Sequence, residues 1–136
     1  MELKEYFEKE KGMGVLATSD AEGKVDVAVY AKPHFMDDGT IAFIMVDKLT
    51  HRNLESNGHA AYLFKEEGPG YKGTRLFLNK IKEEKDSDLL YSLRSKRYTG
   101  GKEEGRPRFL VFFKIEKQLP LIGAGESGMD ENESIV

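Results

Sequence analysis

The stretch KVDVAVYAKPHFMDDGTIAFIMV, Lys24 to Val46, decides the fold class. Its first half alternates. Val25, Val27, Val29 and Ala31 fall on one face, and Asp26, Ala28, Tyr30 and Lys32 on the other, which is the period of two that marks a strand. MDDGT then supplies hairpin-turn chemistry, with Gly39 placed where a tight turn needs a backbone without Cβ. IAFIMV is an unbroken apolar run, short and rich in β-branched residues, as expected of a strand buried on both faces. Strand, turn and strand in succession point to antiparallel structure.

The flanks extend the pattern. Upstream, ELKEYFEKEK sets Leu3, Tyr6 and Phe7 on one helical face, with Gly12 as the expected left-handed stop. GVLATS is a further strand, and DAEG a turn. Downstream, THRNLESN makes a short helix with Thr50 as its expected N-cap and Gly58 as its end. HAAYLFKEE and TRLFLNKIKEE are strands joined by GPGYKG. DSDLLYSLRSKRYTGG is a helix with acids first, then Leu89, Leu90 and Leu93 on one face, then Arg94, Lys96 and Arg97 matched to its C-terminal dipole. RFLVFFKIEKQLPLIG is the last strand, whose Phe109, Phe112 and Phe113 are expected in the barrel or dimer core. Some six strands with only short helices between them predict a mainly β chain, a small antiparallel six-stranded barrel.

Composition narrows the function. A chain of 136 residues is one domain with room for a single core. It has no Cys, which removes disulfides, thiolate metal sites and iron–sulfur clusters together. The tail from Glu126 to Val136 holds four acids and no base, so the net charge of −3 comes from the tail and the body is left at +1. We expect a domain over residues 1–125 and a disordered, solvating tail over 126–136. A body close to neutral argues against nucleic acid as a partner. No apolar run reaches the ~20 residues of a membrane-spanning helix. MELKEYFEKEK is too charged for the apolar part of a signal peptide, so the expected location is cytoplasmic.

One segment gathers unusual chemistry. After IAFIMV come Asp47, Lys48, Thr50, His51, Arg52 and Asn53, where a strand hands over to a helix. The first turn of a helix carries unpaired N–H groups and the positive end of the dipole, and so attracts phosphate. Lys48 and Arg52 would add charge-assisted hydrogen bonds, with a hydroxyl from Thr50 and an amide from Asn53. The same residues equally describe a capped, solvated surface helix.

The succession GVLATSDAEGKVDVAVYA, DDGTIAFIM, KLTHRNLESNGHAAYLF, YKGTRLFL and RFLVFFKIEKQLPLIG resembles the pyridoxamine 5′-phosphate oxidase-like family of FMN-binding split barrels, over roughly Gly14 to Gly123. The resemblance implies a homodimer with FMN at its interface. It implies that Lys48, Thr50, His51, Arg52 and Asn53 surround the phosphate, and that Val46 and Asp47 lie beside the ribityl chain. The strand containing Val29 and Tyr30 would run along the isoalloxazine ring. Tyr71 and Lys72 would reach over from the partner subunit. Many members carry a Lys or Arg where this chain has Thr50, which leaves open which cation holds the phosphate. The oxidases that form the vitamin end in a substrate segment bearing Arg and His, whereas this chain ends GAGESGMDENESIV. It therefore resembles the shorter relatives.

Three functions stay open on the sequence. The first is an FMN-dependent oxidoreductase on an unknown small substrate. The others are a flavin-binding electron carrier or sensor without turnover, and a dimeric binding module without cofactor. No catalytic residue is identified, since a flavin carries its own redox chemistry. His34, His51 and His59 lack metal-ligand spacing; some relatives bind haem, so an axial His is conceivable, but a surface or cap role fits His34 and His59 better.

Overall fold

A computed structural model describes residues 2–95 and 106–123. The acidic tail and the glycine-rich end of the last helical segment lie outside them. In chain order the elements are α1 (Leu3–Lys9), β1 (Gly12–Ser19), β2 (Val25–Val29), β3 (His34–Phe35), β4 (Ile41–Val46), α2 (Leu49–Ser56), β5 (His59–Glu66), β6 (Gly73–Lys85), α3 (Asp88–Ser95) and β7 (Arg108–Leu119). The mainly β, antiparallel expectation is met. The expected six-stranded barrel is not: the described residues form one seven-stranded sheet in the order β2-β1-β5-β6-β7-β4-β3, with open edges at β2 and β3.

The seventh strand arises because the stretch from Val25 to Phe35 does not run as one. Pro33 has no N–H to offer a ladder. β2 stops at Val29, and a separate two-residue β3 pairs His34 with Ala42 and Phe35 with Ile41. The turn between β3 and β4 forms as read, with Gly39 at φ +90° and the Asp38 carboxylate accepting from the Thr40 N–H and hydroxyl.

Although the ladder is open, the sheet curls round one core. Leu16 of β1, Tyr62 and Phe64 of β5, Leu76 and Leu78 of β6, Val111 and Phe113 of β7, and Ile41, Phe43 and Met45 of β4 all belong to it. Phe7 of α1 and Leu54 of α2 are buried in the same cluster. β4 is buried on both faces, as its sequence implied. Its other face, through Ala42, joins Leu110 and Phe112 of β7 and Leu90 of α3 in a second cluster.

Close backbone approach shapes one wall. The Tyr62 hydroxyl donates to the carbonyls of Tyr30 (3.2 Å) and Ala31 (3.1 Å), although the ring sits in the core with no exposure. Gly14 makes room for it, because a Cβ there would collide with that hydroxyl.

Two expected helix signals are corrected. α1 ends at Glu10 in extended conformation, and Gly12 opens β1 instead of capping the helix. The open carbonyls of α1 are met by Lys32, whose Nζ donates to Phe7 O (2.8 Å) and Glu10 O (2.9 Å). The N-cap of α2 is Lys48, not Thr50, which lies within the first turn and is buried.

The Lys32 contacts join the N-terminal helix to the chain leaving β2. Lys32→Met keeps the apolar stem and removes the charged donor. It should lower unfolding free energy by about 1.5–3 kcal/mol, the scale of hydrogen bonds from a charged group. Chemical denaturation of the two proteins measures this, and an unchanged midpoint and slope would refute it.

Candidate functional site

α2 owes its position to which of its side chains turn inward. Leu54 enters the core, and the buried Asn53 donates from Nδ2 to the Thr18 hydroxyl of β1 at 3.0 Å. These contacts fix the helix against the sheet just after β4 ends. Its first helical hydrogen bond runs from the Arg52 N–H to the Lys48 carbonyl at 3.0 Å. The N–H groups of Leu49, Thr50 and His51 come before that bond, so no intrahelical acceptor exists for them. Lys48 is exposed beside them, and the Arg52 side chain is 66% exposed.

His51 points the opposite way. Its side chain is 1% exposed and stacks on Phe109 of β7, with ring centroids 3.9 Å apart at 18°. Nδ1 lies 2.9 Å from Asp47 Oδ1, and Nε2 lies 3.0 Å from Glu83 Oε1. The Asp47 carboxyl is held below the usual carboxylate range, chiefly by the His51 hydrogen bond, with Arg52 adding to it. Burial pushes the Glu83 carboxyl up, but the Lys80 hydrogen bond and the His51 ring outweigh it, and the net shift is downward. Lys80 Nζ reaches the same Glu83 oxygen at 2.8 Å.

Tyr30 connects α2 to a cavity. Burial raises its phenol above the usual value, while a hydrogen bond from the Thr50 hydroxyl acts against the rise. Its ring meets Phe43 edge-on at 5.9 Å. Tyr30 and Phe43 line a cavity of about 260 Å³, together with Ala31, Ile44 and the basic residues Lys32, His34, Arg94 and Arg108. A helix end rich in donors thus adjoins a part-aromatic hollow through the Thr50–Tyr30 contact.

The sequence-predicted residues divide into three groups. Asp47, Lys48, Thr50, His51, Arg52, Asn53 and Tyr30 come together around the start of α2. Of these, Thr50, His51 and Asn53 have inward side chains engaged with protein groups, leaving Lys48, Arg52 and the backbone for a ligand. Val46 ends β4 opposite Arg108. Val29 is 69% exposed on the outer face of β2, away from Tyr30 on the inner one. Tyr71 and Lys72 are exposed in the connection from β5 to β6. They lie past the far end of β5, whose eight residues run about 25 Å from its start near the C-terminal end of α2.

Reading the sequence missed Glu83, Lys80 and Phe109. The i, i+4 spacing of Asp47 and His51 was visible, but Glu83 depends on pairing. A register shift between Lys80 and Lys82 reverses the alternation of β6, so Ile81 is exposed while Glu83 meets His51 of α2 and Lys80 reaches Glu83. Among the described residues, no group of three or more His, Cys, Asp or Glu could hold a metal ion. No described helix is long and apolar enough to cross a membrane.

No family model and no curated protein sequence matches the chain. Solved structures do. An FMN-binding protein from Syntrophomonas wolfei subsp. wolfei superposes with a TM-score of 0.65 at 23% identity, covering 85% of this chain and 80% of its own. A protein described as a candidate pyridoxamine 5′-phosphate oxidase from Lactobacillus delbrueckii gives 0.63 at 17%, over 88% and 93%. HutZ, a haem storage protein from Vibrio cholerae, gives 0.56 at 18%, over 87% and 92%. The curled antiparallel sheet with its short helices is the fold of the pyridoxamine 5′-phosphate oxidase-like split-barrel proteins.

Proposed function

We propose that this chain binds FMN, with the phosphate at the start of α2 and the ring system extending toward Tyr30. One observation carries the reading: unpaired first-turn N–H groups lie beside two outward cations, Lys48 and Arg52, and the Thr50–Tyr30 contact joins them to an aromatic-lined hollow. Backbone donors and cations suit a phosphate. A hollow whose walls combine Tyr30, Phe43 and Ile44 with the basic side chains Lys32, His34, Arg94 and Arg108 suits a planar ring with polar edges. The presence of FMN binding in one similar structure supports this ligand. A bound flavin would supply redox chemistry, and this chain would supply position and charge. We favour an oxidoreductase acting on a small substrate over a carrier without turnover; reduction by NADH or NADPH followed by transfer to an acceptor separates the two.

Haem is the competing cofactor, since HutZ shares the fold. His51 is a poor axial ligand, because both ring nitrogens already face carboxylates inside the protein.

The phosphate assignment is tested with two flavins. Arg52→Ala should weaken FMN binding by about 1.5–3 kcal/mol, the scale of a charge-assisted hydrogen bond. Riboflavin lacks the phosphate and should bind the variant as it binds wild type. Equal losses for both ligands in fluorescence titration would remove the assignment.

We also propose a homodimer, formed through the outer face of β2. Most apolar side chains of TRLFLNKI and RFLVFFKI are consumed within the subunit: Leu76, Leu78, Leu110, Val111, Phe112 and Phe113 are all buried. The surplus lies on β2, where Val25, Val27 and Val29 are 81%, 68% and 69% exposed. Val15 and Ala17 of β1 lie across from Val29 and Val27, and Leu63 and Ala61 of β5 continue the same rows. A continuous apolar face of this kind is a partner surface. Its burial in a dimer would let the connection bearing Tyr71 and Lys72 approach the other subunit's α2. Val27→Glu should convert a dimer into a folded monomer at micromolar concentration in sedimentation. A wild type that sediments as a monomer, or a variant that stays dimeric, would contradict the proposal.

A further inference from the structure

The buried His51 is surrounded by charge in an arrangement that the phosphate reading alone does not use. Asp47 precedes α2 and lies at the end where a phosphate would bind. An acid there repels a dianion and competes with it for Arg52. The distances show how that conflict is resolved. Asp47 Oδ1 lies 2.9 Å from His51 Nδ1 and 3.6 Å from Arg52 Nε, so the histidine holds the acid more closely than the arginine does. On the opposite side of the ring, Glu83 Oε1 lies 3.0 Å from Nε2 and also accepts from Lys80.

A carboxylate oxygen can only accept a hydrogen bond. A neutral imidazole has one donor and one lone pair, so it would set that lone pair against one of the two carboxylates. Only a ring with protons on both nitrogens satisfies both contacts. The face of Phe109 stacked on the ring adds a further site suited to a cation.

We propose that His51 is a buried imidazolium that positions the α2 site: it neutralises Asp47, leaving Arg52 and the helix N-terminus available to an anionic ligand, and through Glu83 it ties that end of the helix to β6. The role toward an anionic ligand rests on the flavin reading; the charge on the ring and its tie to β6 do not. The chain of charges runs Arg52, Asp47, His51, Glu83, Lys80, alternating in sign from the surface inward and out along β6. His51 touches no ligand in this arrangement; it acts through Asp47. In its absence Asp47 would be left to Arg52.

Two measurements test it. In protein labelled with ¹⁵N-histidine, both ring nitrogens of His51 should carry protons at neutral pH, with the resonances identified by their loss in His51→Gln. A ring with one protonated nitrogen overturns the charge assignment. For ligand binding, His51→Gln should weaken FMN by about tenfold, the scale of one charge-assisted hydrogen bond. Riboflavin affinity should change by less than about twofold, since it has no phosphate for Asp47 to repel. Adding Asp47→Asn to His51→Gln should restore most of the FMN affinity, because the unpaired acid is then gone. Equal losses for both flavins without rescue would mean that His51 only supports the fold. A wild type that binds neither flavin would remove the flavin reading and the ligand role of His51 with it, while the nitrogen spectrum would still decide the charge on the ring.

Discussion

The hydrogen bonds from the Tyr62 hydroxyl to the carbonyls of Tyr30 and Ala31 are the constraint on which the rest of the architecture depends. They draw the chain inward just after the edge strand β2. A fully buried tyrosine must find partners for its hydroxyl, and these two carbonyls provide them. As a result Tyr30 turns into the core against Phe43, although β2 and β4 stand far apart in the order of the sheet. The same turn carries Lys32 to the end of α1 and brings the Tyr30 phenol to Thr50. The wall of the hollow and the junction with the N-terminal helix therefore depend on one buried side chain and on the absence of a side chain at Gly14, and from that wall Tyr30 reaches the start of α2.

α2 shows how the packing of a short helix decides what it leaves at the surface. Its inward residues are polar as well as apolar, and each is matched: Asn53 to Thr18, His51 to Asp47 and Glu83, Thr50 to Tyr30. Such pairing offsets the cost of burying polar groups and fixes the helix in one rotation. It also determines what remains outside. Lys48, Arg52 and the backbone donors of the first turn are what the surface retains at that point. The buried polar set and the exposed cationic set are two consequences of a single helix orientation.

Much of this was legible in the sequence. The alternation of Val25 to Val29, the Gly39 turn and the apolar run from Ile41 to Val46 specify their local structure, since periods of two and tight turns are local properties. The start of α2 was legible as a cluster of donors, though Thr50 reads as a cap and proves to be buried. Glu83 was not legible, because a one-residue register shift in β6 decides which way it faces. Nor was the exposed valine face: its residues look like an ordinary half-buried strand until β2 proves to be a sheet edge with none of the described residues covering them. Long-range pairing decides both, and no window of sequence contains it.

The central claim is that this fold holds a flavin at the start of α2. The most direct measurement is the visible absorption spectrum of the freshly purified protein, followed by mass identification of any cofactor released on denaturation. The account predicts the two-band spectrum of an oxidised flavin and the release of FMN. A haem spectrum, or a colourless protein that does not take up added FMN, would contradict it.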